Sequence, residues 1–149
     1  MDRRLPGWVG VVLLAALVTV IASPGAALAA GSRTFTTVMT GAEEVPGPGD
    51  PDGSGVATIR LIPEEFEVCF ELAVTDIQPA TAAHVHRGPV GVAGPIVVPL
   101  APPTEGASRG CVEGVDPVLI KDIGRHPDQF YVNVHNAEFP AGAVRGQLG

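Results

Sequence analysis

The chain contains four histidines, and two of them are separated by a single residue in Ala83-His84-Val85-His86-Arg87. Side chains alternate faces along a strand, so His84 and His86 point one way and Val85 the other. Such a pair offers two nitrogen donors side by side. A bound metal needs them ~2.0–2.1 Å away, and copper or zinc is the ion that suits imidazole. A third donor must arrive from another strand, and His135 is the candidate. It lies on the polar face of Gln129–Asn136, together with Tyr131 and Asn133. The carboxylate of Glu138 is a candidate for a fourth position, or for a group that fixes a ring from behind. The same residue types support a second reading. His84, His86, Asn133, His135 and Arg145 would then form a hydrogen-bonded network that pins two loops together. The sequence leaves both readings open.

Other chemistries find less support. Ser54 and Ser108 lie beside glycines, but neither sits in a nucleophile elbow. Glu64 and Glu65 are adjacent, and in an extended chain adjacency puts their carboxylates on opposite faces, where they cannot converge as an acid–base pair. The acidic residues of the Gly- and Pro-rich stretch 41–55 lack EF-hand spacing. No phosphate loop or dinucleotide fingerprint is present. No complete catalytic set can be assembled, so a non-enzymatic role is the expectation.

The elements that position the histidines read as short strands. Arg33–Thr40 is rich in β-branched residues. Val56–Ile62 alternates, with Ala57, Ile59 and Leu61 on one face. The clearest strand is Glu65–Val74, where Phe66, Val68, Phe70, Leu72 and Val74 share one face. Ala82–Arg87 carries the histidine pair, Pro95–Leu100 is expected as a buried strand, and Ala107–Glu113 follows. Asp116-Pro117 is the one good helix start, a capping Asp followed by Pro in the first turn. The helix is predicted to run to about Ile123, with Leu119, Ile120 and Ile123 inward. Gln129–Asn136 and Ala143–Leu148 close the chain. The fold class is all-β: an antiparallel Greek-key β-sandwich or flattened barrel of about eight strands with one short helix.

The N-terminal segment has the marks of an export signal. Arg3 and Arg4 precede an apolar run from Trp8 to Ile21, and Ala27-Leu28-Ala29 fits a small-x-small cleavage pattern. The run is shorter than the ~20 residues of a membrane span. The expectation is a signal peptide over 1–29 and one β domain over 30–149, with membrane contact only through the signal segment before cleavage. The formal charge of -7 becomes more negative when Asp2, Arg3 and Arg4 are removed. An acidic domain without a basic run is a poor match to nucleic acid. In an oxidising compartment Cys69 and Cys111, the two cysteines of the chain, are expected to pair. Cys69 falls on the polar face of its strand, so the bridge would staple the sheet surface.

Several segments resemble the CHRD domain family, named from chordin and common in secreted bacterial proteins. They are Gly41-Ala42-Glu43-Glu44-Val45-Pro46, Gly53-Ser54-Gly55-Val56-Ala57, Ala83-His84-Val85-His86-Arg87-Gly88, Gly94-Pro95-Ile96-Val97-Val98, Tyr131-Val132-Asn133-Val134-His135-Asn136 and Phe139-Pro140-Ala141-Gly142-Ala143-Val144-Arg145-Gly146-Gln147-Leu148. They occur in the family's order and cover nearly the whole chain after the leader. The resemblance implies an extracellular β-rich module; chordin itself binds growth factors. The chain is also similar, more loosely, to copper/zinc superoxide dismutase. That similarity implies a copper pair at His84 and His86, a later ligand at His135 and a late arginine at Arg145. No histidine matches the bridging ligand and no His–Asp cluster matches the zinc site; His126 is the remaining histidine. The chain is thus read as a secreted, extracytoplasmic, non-catalytic CHRD-type binding or structural module whose partner is an extracellular protein or glycan. The alternative is a copper- or zinc-binding protein built on the His-x-His pair.

Overall fold

The computed structural model describes Met1 and residues 31–149; the leader assigned to 1–29 otherwise lies outside them. Among the described residues the strands are β1 (Arg33–Thr40), β2 (Ser54–Ile62), β3 (Glu67–Thr75), β4 (Ala80–Arg87), β5 (Ile96–Leu100), β6 (Ala107–Val112), β7 (Phe130–Asn136) and β8 (Val144–Gln147), with one α-helix, α1 (Pro117–Arg125), between β6 and β7. They form one antiparallel sheet in the order β5-β4-β7-β8-β1-β2-β3-β6. The pairings β3–β6 and β4–β7 join strands distant in sequence, as Greek-key connections do. The sheet curls into a nearly closed barrel. Across the seam the Ser108 hydroxyl of β6 donates to the carbonyl of Ala101, just past β5, at 2.8 Å.

Period-two patterning decides which side chains fill the barrel. Ala57, Ile59 and Leu61 of β2, Val68, Phe70, Leu72 and Val74 of β3, Ala83 and Val85 of β4, and Phe130, Val132 and Val134 of β7 all pack inward. Fully burying one such aliphatic or aromatic side chain stabilises by roughly 1.5–3 kcal/mol. The helix closes one end. Asp116 caps it by accepting from the Val118 amide at 2.8 Å, and Ile120 and Ile123 are fully buried. Leu119, expected inward with them, packs against the core only in part.

Two expectations need correcting. Phe66 is not on the core face: it is 49% exposed and has a positive φ of 58°. A turn links Pro63 to Phe66 through the Phe66 amide, so the strand begins at Glu67, two residues later than expected, and the run of alternating residues overstates its start. Pro95–Leu100 is not a buried strand either. It is the sheet edge, where only Val98 and Leu100 face inward and Ile96 and Pro99 are exposed. Pro99 lacks an N–H, which an edge strand tolerates and a central one does not.

Cys69 and Cys111 face each other in register on β3 and β6 and form a disulfide. The bridge ties edge strand β6 to the sheet on its outer surface, as the alternation of β3 requires. It closes a sequence separation of 42 residues, for which the chain-entropy model gives ~4 kcal/mol. Replacing both cysteines by serine should lower unfolding free energy by about that amount, measured by denaturant titration; a loss below about 1 kcal/mol would contradict the constraint argued here.

Candidate functional site

The outer face of β4, β7 and β8 is where the polar residues collect. Register places His84 opposite Asn133 and His86 opposite Tyr131. It places Asn133 opposite Arg145 and Tyr131 opposite Gln147 across β7–β8. Asn133 is therefore central, with His135 two residues along its own strand. The outer face of a barrel normally meets water, yet Asn133 and Arg145 are each 2% exposed and His86 is 8% exposed.

Arg145 explains the cover. Its guanidinium donates to the carbonyls of Val92 and Pro89, both at 3.0 Å, and to Oε1 of Gln147 at 3.3 Å. Its carbon lies 3.5 Å from the centroid of the Tyr131 ring, a cation–π contact. Gln147 donates to the Gly88 carbonyl at 2.9 Å. Together they hold the β4–β5 loop over the histidines. Gly94 lets that loop pack closely, since a Cβ there would overlap the Arg87 carbonyl. Its N–H donates to the Tyr131 hydroxyl at 3.1 Å. On the other flank the β1–β2 loop is tied down by the Asp50 amide, which donates to Ala143 at 2.8 Å.

That second loop brings in Glu44, which the reading of the sequence did not assign to the site. It is 4% exposed and packs against Gly142 so closely that any side chain there would overlap its carboxylate. Burial pushes its pKa up from 4.5 to about 7, although Arg145, the Val45 amide and the Asn133 side chain all favour its charged form. One of its oxygens, Oε1, is buried without a hydrogen-bond partner among the described residues. The signal that pointed to Glu44 lay only in the resemblance, as part of Gly-Ala-Glu-Glu-Val-Pro.

The three candidate histidines come together. One ligand atom from each of His84, His86 and His135 lies within 4.8 Å of the others. His84 Nδ1 and His135 Nε2 are 3.1 Å apart, near the ~3.4 Å that two nitrogens on one tetrahedral ion require. His86 stacks on Tyr131 with ring centroids 4.7 Å apart. Backbone carbonyls set two of the tautomers. His86 Nδ1 faces the Gly94 carbonyl at 2.8 Å and His135 Nδ1 faces the Pro140 carbonyl at 3.1 Å. A carbonyl only accepts, so the ring proton sits on Nδ1 and Nε2 carries a bare lone pair. The Nε2 of His86 is buried and has no hydrogen-bond partner among the described residues.

Other residues fall elsewhere. Glu138 is exposed and lines an acidic groove with Asp50, Asp52 and Asp76, so the carboxylate beside this site is Glu44. His126 caps the end of α1 and bonds Asp122 at 2.9 Å; Asp122 also pairs with Arg87 at 2.6 Å. Glu67, Cys69 and Cys111 also lie close together, but the disulfide removes the thiolates a metal would need. The larger surface grooves lie on the outer face of β2, β3 and β6 and do not border the histidines.

The model of the CHRD domain matches residues 35–148. The match takes in all eight strands but the first two residues of β1, and the chain belongs to the CHRD domain family. No curated protein and no solved structure matches the chain.

The titrations of this face oppose each other. Burial lowers the pKa of His84 to about 4, with help from the two other rings, and lowers His86 and His135 as well. Below the ordinary histidine pKa of 6.5 the unfolded chain therefore binds more protons than the folded one, and stability falls as pH drops from 6.5 towards 4. Glu44 acts in the other direction: its raised pKa contributes stability at low pH that is lost as pH rises from 4.5 through 7. Melting temperature without metal should thus rise with pH from 4 to 6.5, and Glu44→Gln should steepen that rise. An unchanged slope would show that Glu44 does not titrate in this window.

Proposed function

We propose that this chain is a secreted, extracytoplasmic CHRD-type module that works by binding rather than by catalysis. The leader pattern, the disulfide and the family support that location. Binding is favoured because the site's strongest donors are already committed to backbone: Arg145 to two loop carbonyls, His86 and His135 to one each.

A second reading is a single copper or zinc ion held by His84, His86 and His135. One observation carries this. A buried Nε2 of His86, its proton fixed on the opposite nitrogen, has no donor among the described residues and lies among two other imidazoles. A hydrogen-bonded scaffold has no use for an unsatisfied buried acceptor, which costs about 1–3 kcal/mol; a metal ion uses it directly. The carbonyls behind His86 and His135 orient the rings in the way that partners behind metal ligands do.

Chelator-treated protein should bind one equivalent of Cu(II) or Zn(II) by calorimetry, with a raised melting temperature. His84→Ala and His135→Ala should abolish saturable binding while remaining folded. Absence of binding in the unmodified protein would return the histidines to scaffold and point to an extracellular protein or glycan partner. For location, expression with the leader should yield exported protein lacking about 29 residues, read by mass spectrometry; retention of the full chain in the cell would contradict secretion.

A further inference from the structure

We propose that Asn133 supplies an oxygen donor to the ion held by the three histidines, so that the site prefers a divalent ion over Cu(I). The inference rests on the metal-binding reading above and deepens it by naming the fourth donor and the selectivity.

Asn133 is buried at the centre of the polar face, opposite His84 on one side and Arg145 on the other. Its amide has one donating end and one accepting end. The accepting oxygen faces the rings and lies 3.0 Å from His135 Nε2. That nitrogen has no proton to give while Nδ1 donates to Pro140. Two lone pairs thus face each other at hydrogen-bonding distance, and His84 Nδ1, 3.1 Å from the same Nε2, has a single proton to offer. A cation set among His84, His86, His135 and the Asn133 oxygen turns each of these lone pairs into a bond.

Donor chemistry then sets the preference. Three imidazoles and one carboxamide oxygen make an N3O set. Cu(I) is soft and favours sulfur ligands, whereas Zn(II) and Cu(II) accept oxygen readily.

The test compares the unmodified protein with Asn133→Ala and Asn133→Asp, using Zn(II) by calorimetry, Cu(I) by competition with a colorimetric chelator, and Cu(II) by electron paramagnetic resonance. Asn133→Ala should weaken Zn(II) binding about 10- to 100-fold, the range for loss of a group that supports a metal site, while Cu(I) binding changes by less than about 3-fold. Asn133→Asp restores an oxygen and should restore Zn(II) affinity. The Cu(II) spectrum should shift in Asn133→Ala towards fewer oxygen donors. Equal losses of Zn(II) and Cu(I), or no rescue by Asp, would overturn the proposal and leave Asn133 a packing residue. A protein that binds none of the three ions would overturn the metal-binding reading itself, and this inference with it.

Discussion

A buried guanidinium governs how this domain is built. A cation in a poorly hydrated place is costly unless every N–H finds an acceptor and the charge is answered. For Arg145 the acceptors are the carbonyls of Pro89 and Val92, the side chain of Gln147 and the face of Tyr131, with Glu44 as the nearby negative charge. None of these comes from the barrel interior. Each belongs to a covering loop or to the outer surface of β7 and β8. Meeting the needs of one side chain therefore folds two loops over a sheet surface that water would otherwise cover.

The histidines owe their character to that cover. On a bare strand surface His84, His86 and His135 would be ordinary solvated imidazoles. Beneath the loops they lose water, their charged forms are disfavoured, and their ring nitrogens must find partners within the protein. The Gly94 carbonyl that meets His86 lies in the β4–β5 loop, and the Pro140 carbonyl that meets His135 lies in the turn between β7 and β8. The loops thus act twice, excluding solvent and choosing the tautomers.

The parts of this arrangement that alternation controls could be read from the residues. His84 and His86 share a face because Val85 is between them, and Tyr131, Asn133 and His135 share one because Phe130, Val132 and Val134 occupy the other. The eight strands, the Asp116 cap and the Cys69–Cys111 pairing were legible for similar reasons, since each is set by near neighbours or by the count of cysteines. Glu44 was not. It reaches the site through the packing of one loop against a turn about a hundred residues away, and no local pattern carries that information. The choice of Glu138 failed for the same reason: it is three residues from His135 in sequence, but the turn after β7 directs it to the surface. Phe66 shows the converse error, in which a correct period was extended through a turn.

The strands β4 and β7 divide their residues between two tasks. Ala83, Val85, Val132 and Val134 hold the barrel from within, while the residues between them face the loops. A substitution on the outer row leaves the inner row's contacts in place, so the donors of this face can be exchanged one at a time while the barrel persists. Stability and site chemistry are thus carried on opposite sides of the same two strands.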